Sequence, residues 1–186
     1  MVKNAPKGRP SSAAAILDTA LRLLDDGASV SLESVAQAAG LTKPGLMYHF
    51  PTKAALMDAL VDHVVDTLEQ ALRTRLPVAL DKASATERIR AYLQWSLEYP
   101  HRRSDLVMLS DPKLSDRMTV RWAERFQKWV QVPADTPAPE RTRLHAARLL
   151  ADGAWLAGTI NTLPVPADDR TDLLRYALEL LEGPPP

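Results

Sequence analysis

The sequence predicts an all-α protein: an N-terminal domain of three short helices followed by a larger C-terminal helical domain. Three observations predict it. Apolar residues recur three and four apart through most of the chain, with no alternating strand run between turn signals. Gly, Pro and hydroxyl or acidic residues fall where helices must start and stop. The 186 residues, 46% hydrophobic and 25% charged, are enough for one or two soluble helical domains.

Each element has a local reason. The first helix begins near Ser12, carries Ile16, Leu17, Ala20, Leu21 and Leu24 on one face, and stops at Gly27. Ser31 caps a second helix with Leu32, Val35, Ala36 and Ala39 as its apolar positions. Gly40 ends it, because glycine enters the left-handed region without a Cβ penalty. Thr42 caps a third helix, with Pro44 in the first turn, where a missing N–H costs little. Pro51 stops that helix, and Thr52 caps a long fourth one reaching about Leu76, before Pro77. Further helical segments are expected near Thr86–Tyr99, Ser104–Leu109, Lys113–Val130, Glu140–Leu163 and Asp168–Leu181, divided by proline-containing loops. The domains predicted are a basic arm over residues 1–10, a three-helix domain over 11–52, a larger helical domain over 53–183 (53–76 a connecting helix), and a tail over 184–186.

Composition excludes several classes. With no cysteine there is no disulfide framework, thiolate metal site or Cys nucleophile. No apolar run is long enough to span a membrane, and the N-terminus lacks the apolar stretch of a signal peptide, so a cytoplasmic location is expected. The net charge is zero, but Lys3, Lys7 and Arg9 stand in the first ten residues without an acid. They read either as a solubilising tail or as an electrostatic handle for nucleic acid. His49, His63, His101 and His145 lie in separate segments without metal-ligand spacing, and there is no Gly-rich phosphate loop. No metal, cofactor or enzymatic activity is expected; a helical enzyme or an interaction module without DNA binding is the alternative.

The stretch Leu41–Leu56, LTKPGLMYHFPTKAAL, carries the chemistry. Two short helices joined by a tight turn at Gly40–Leu41 have the spacing of a helix-turn-helix. A recognition helix enters the major groove by its N-terminal end. Thr42 and Lys43 stand there, Gly45 leaves room for a DNA backbone, Tyr48 and His49 offer polar tips, and Lys53 can grip a flanking phosphate. Leu46 and Phe50, four apart, face inward. Singly, Thr42 reads as a cap, Tyr48 as a half-buried core residue and His49 as a surface histidine; their conjunction on one edge favours DNA.

The segment from Ile16 to Leu60, with VAQAAGLTKPGLMYHF followed by PTKAAL, resembles the N-terminal domain of the TetR family of bacterial transcriptional regulators. The resemblance implies a three-helix DNA-binding domain and a divergent helical domain for ligand and dimerisation. It implies that Ser31, Thr42, Lys43, Pro44, Gly45, Tyr48, His49 and Lys53 face double-stranded operator DNA. The chain departs from the family at Met47, where a phosphate-contacting tyrosine is frequent, and at Ala54, where an acid is. Repression, relieved by a small-molecule effector, is the mode implied.

In the C-terminal domain, Ala147, Ala151, Ala154 and Gly158 form a strip of small residues. With Leu174, Leu178 and Leu181 they are expected at a four-helix homodimer interface; packing inside one chain is the other reading. Trp95, Met108, Met118, Trp122 and Trp155 are candidate effector-pocket residues, although such a stripe also builds ordinary cores. Glu98 and Asp152, each one turn from a tryptophan, suggest a lipophilic cation as the ligand; the other reading is that either acid is solvated or paired with Arg148 or Arg102. The stretches LVMLSDPKL and LLADGAWLAG are similar to family members that control efflux or detoxification genes.

Overall fold

The computed structural model describes residues 13–183. The basic arm and the tail predicted at the two ends lie outside the described residues. Those described form α1 (Ala13–Asp25), α2 (Leu32–Ala38), α3 (Lys43–His49), α4 (Lys53–Arg73), α5 (Ala85–Glu98), a 3-10 segment (Arg103–Leu109), α6 (Ser115–Val130), α7 (Ala138–Ile160) and α8 (Ala167–Glu182). Among them there is no strand.

The termini follow from local chemistry. Ser31 caps α2 in a reciprocal box with Ser34, whose hydroxyl replaces the longer acid usual at that place. Gly40, at φ +67°, turns the chain, and the Leu41 N–H reaches back to the Ala36 carbonyl at 2.8 Å. Helix α4 ends at Arg73, short of the expected Leu76. Arg75 and Leu76 make tighter bonds to the carbonyls of Leu72 and Arg73, as the approach to Pro77 requires. Helix α6 starts at Ser115 rather than Lys113, because the Asp111 carboxylate accepts the Lys113 N–H in a turn of its own. Helix α7 runs from Ala138 and closes on Asn161, a left-handed residue at φ 50°.

The chain forms two compact units that do not follow the linear order. The first comprises residues up to Val64 together with Leu106–Trp122. In it α1 packs on α2 and α2 on α3, around buried Ile16, Ala20, Val35, Leu46 and Leu60. Arg117 and Arg121 of α6 pair with Asp58 and Asp62 of α4. The second unit comprises Val65–Asp105 and residues from Ala123. There α5 lies against both α7 and α8, which also pack on each other.

The small-residue strip on α7 belongs to this second core. Ala147 and Ala151 are fully buried, and Ala147 and Leu181 pack with Ile89 of α5 and Leu144. The space beside Gly158 holds His101, whose ring would stand 2.9 Å from a Cβ there. The small side chains therefore admit α5 and the segment after it. Of the residues expected at a dimer interface, Ala147, Ala151 and Leu181 are buried within the protomer, while Ala154, Gly158, Leu174 and Leu178 are half-buried.

Candidate nucleic-acid interface and effector region

Helix α3 has only seven residues, too few to hold a helix alone. It is held at its start by the Thr42 hydroxyl, which accepts the Gly45 N–H at 3.2 Å, and on its inner side by Leu46 and Phe50. Gly45 has a local reason: a Cβ there would stand 3.1 Å from Thr42 Oγ1. With Leu46 pointing inward, Pro44, Met47 and Tyr48, spaced i, i+3 and i+4, make the outward edge. Tyr48 is 86% exposed, Met47 40%, and Lys43 and Pro44 are open to solvent. His49 is half-buried, its ring edge-on to Tyr48 at 5.4 Å. The Ser31 hydroxyl is engaged in its cap.

Lys53 departs from the simple expectation. Its ammonium pairs with the carboxylate of Asp111, a buried residue in the turn before α6. That hydrogen bond, helped by the Lys113 and Leu114 backbone N–H groups, holds the Asp111 carboxyl below the ordinary carboxylate range. A depressed acid contributes stability above its unfolded-chain value of about 3.9 and loses it as pH falls through the lower folded value. Asp111→Asn is therefore expected to lower the thermal midpoint at pH 7, with the gap to wild type closing as pH is taken below 4. Melting curves from pH 3 to 7 check this.

The effector expectations fare differently. Met108 and Met118 are buried in the first unit, where Trp122 is half-buried; Trp95, Glu98, Asp152 and Trp155 belong to the second. Trp95 is buried between Tyr92 and Tyr99, with ring centres at 6.0 and 5.2 Å, and meets His101 edge-on at 4.8 Å. Glu98 is exposed and paired with Arg75 at 3.1 Å. Asp152 accepts the Tyr92 hydroxyl at 2.9 Å and Arg148 at 2.7 Å. Burial, reinforced by the Asp152 charge, raises the Tyr92 phenol well above its usual range, so it stays a donor. Neither acid is left unpaired for a cation, because an arginine already answers each. A cleft in this unit, lined by Ser96, Leu97, His101, Ala154, Gly158 and Arg170 among others, has about 10 Å³ of free volume, room for roughly one water.

Sequence reasoning missed the pairing of α4 with α6. Acids four apart on one helix and arginines four apart on the other, each pair 59 residues apart, were the available signal.

Fold and site together define a helix-turn-helix protein whose α3 is capped at its start, packed on its inner side and open to solvent along its outer edge. The family model described as bacterial regulatory proteins, tetR family, matches residues 16–60, and that described as tetracyclin repressor-like, C-terminal domain, matches residues 86–182. The chain belongs to the TetR family. It is 29% identical over 140 residues to the HTH-type transcriptional regulator EthR of Mycobacterium tuberculosis, covering 73% of this chain and 64% of that protein. It is 34% identical over 91 residues to the HTH-type transcriptional regulator RutR of Escherichia coli, covering 47% and 43%. The chain thus spans a little under two thirds of the first relative's length. A solved TetR-family member from Streptomyces coelicolor A3 shares the fold, with a TM-score of 0.58 and 22% identity over 89% of this chain and 98% of that one. No helix among the described residues is long and apolar enough to cross a membrane.

Proposed function

We propose that this protein is a cytoplasmic, DNA-binding transcriptional regulator that acts as a homodimer and leaves its operator when a small molecule binds its C-terminal region. The observation that carries the DNA reading is the outward edge of α3. A helix this short is fixed by its cap and two inward residues, while Lys43, Pro44, Met47 and Tyr48 are left to solvent. A purely structural turn has no need of a lysine and a tyrosine there. The tetR-family match over residues 16–60 supports the same reading.

Operator titration tests it. Lys43→Ala and Tyr48→Ala are each expected to weaken binding by roughly 1–3 kcal/mol where they lose a base contact, and by about one unit of salt slope where they lose a phosphate. Helix content should stay unchanged, since both side chains are exposed. Unaltered operator affinity in both variants would reject α3 as the recognition helix.

The dimer reading rests on a different face of α7 and α8 from the small-residue strip. Leu149, Leu156 and Ile160, spaced i, i+7 and i+11 along α7, are exposed, as are Tyr176 and Leu180 on α8. Gly153 lies in the same α7 row with open space beside it. A second copy of the chain is the occupant this face fits, because a helix-turn-helix protein reads a two-fold operator with two recognition helices. The C-terminal family match over residues 86–182 and the aromatic stack of Tyr92, Trp95 and Tyr99 support an effector role for the second unit. With Glu98 and Asp152 already paired, no charge preference is proposed for the effector.

A further inference from the structure

We propose that Met47 is a specificity-determining residue that reads the C5-methyl group of a thymine in the major groove. The inference rests on α3 being the recognition helix and goes beyond it by naming the base feature one side chain selects.

Met47 stands in the middle of the outward edge, between Pro44 and Tyr48 in the i, i+3, i+4 row. It is 40% exposed, whereas Met57, Met108 and Met118 are all buried. It takes no part in the cap, which Thr42 closes, and the inner side of α3 is filled by Leu46 and Phe50. Its thioether has no donor and only a weak acceptor. Its neighbour Pro44 likewise brings apolar surface to this edge. Hydrogen bonding at the tip falls to Lys43 and Tyr48.

The chemistry of the groove decides what such a side chain can face. Base edges there present donors, acceptors and a single apolar group, the thymine methyl. Set against a guanine, cytosine or adenine edge, Met47 would strip water from polar atoms and return no hydrogen bond. Set against a thymine methyl, it covers apolar surface on both sides. Its unbranched chain lets the thioether follow the methyl without strain elsewhere.

The test uses the full-length wild-type protein and an operator recovered by selection from random duplex DNA. Each thymine is replaced in turn, symmetrically in both half-sites, by deoxyuracil, which removes only the C5-methyl. One position is expected to weaken binding by about fourfold per half-site, the worth of roughly one buried methyl group. In Met47→Ala, whose exposed site leaves folding intact, the thymine-to-uracil difference at that position should shrink below about twofold, as the loss of that same contact requires. Full affinity with uracil at every position overturns the inference, and so does a uracil effect that survives in Met47→Ala. In either case sequence-specific binding by the wild type leaves the regulator reading standing. Absence of any sequence-specific binding overturns both.

Discussion

Ile160→Asp is expected to yield a folded monomer that binds operator at least a hundredfold more weakly than wild type, the low end of the avidity range for two linked sites. Ile160 is half exposed in the single chain, so a carboxylate there stays hydrated and costs the protomer little. In a dimer joined through Leu149, Leu156 and Ile160 of α7 and Tyr176 and Leu180 of α8, the same carboxylate would be desolvated without a partner. Association should therefore fail while helix content persists. Losing the second recognition helix removes the avidity of two half-sites, which is worth about 10²–10⁴ in affinity. Sedimentation equilibrium, circular dichroism and operator titration on one preparation check the three parts. An Ile160→Asp protein that remains dimeric would place the interface elsewhere. Gly158→Trp makes the contrast: it strikes His101 of its own chain and should disturb the second unit's fold rather than association alone.

Leu46→Ala is the second large effect expected. Leu46 is wholly buried and, with Phe50, is the apolar attachment of a seven-residue helix. Truncation removes the transfer energy of the side chain and leaves a cavity, roughly 2–5 kcal/mol for a core leucine. Because so short a helix has no stability of its own, part of that loss should appear as opening of α3. Hydrogen exchange over residues 42–50 should accelerate, the thermal midpoint should fall and operator binding should be lost. Met47→Ala, three-fifths as buried at most and outside the core, should change stability by no more than about 0.5 kcal/mol. Equal destabilisation by the two variants would mean that the inner and outer sides of α3 are assigned wrongly.

Much of the candidate DNA surface was legible because its signals are local. Thr42 and Gly45 lie three residues apart and make the cap themselves, and Leu46 and Phe50 declare the inner face by their spacing. The ion pair of Lys53 was not legible, because its partner, Asp111, comes from a turn 58 residues further on (111 − 53). No pattern around Lys53 announces that turn. Glu98 likewise takes its partner, Arg75, from a distant turn, and Asp152 takes Tyr92 from another helix, whereas Arg148 stands four residues before Asp152 and was legible.

By itself the sequence determined the helices, their caps and their punctuation, the helix-turn-helix and the residues at its tip. Each depends on side chains and backbone groups within one or two turns of each other, and those interactions travel with the chain. Only the tertiary structure decided which face of α7 turns inward. A row of small residues can receive any close-packed helix, and periodicity cannot say whether that helix is α5 of the same chain or a helix of another. Burial of Ala147 and Ala151 beside Ile89 and Leu181 assigns the row to α5. Leu149, Leu156 and Ile160 are thereby left on the outside. Which apolar face is covered and which remains open is a property of long-range packing, where distant segments compete for the same surface.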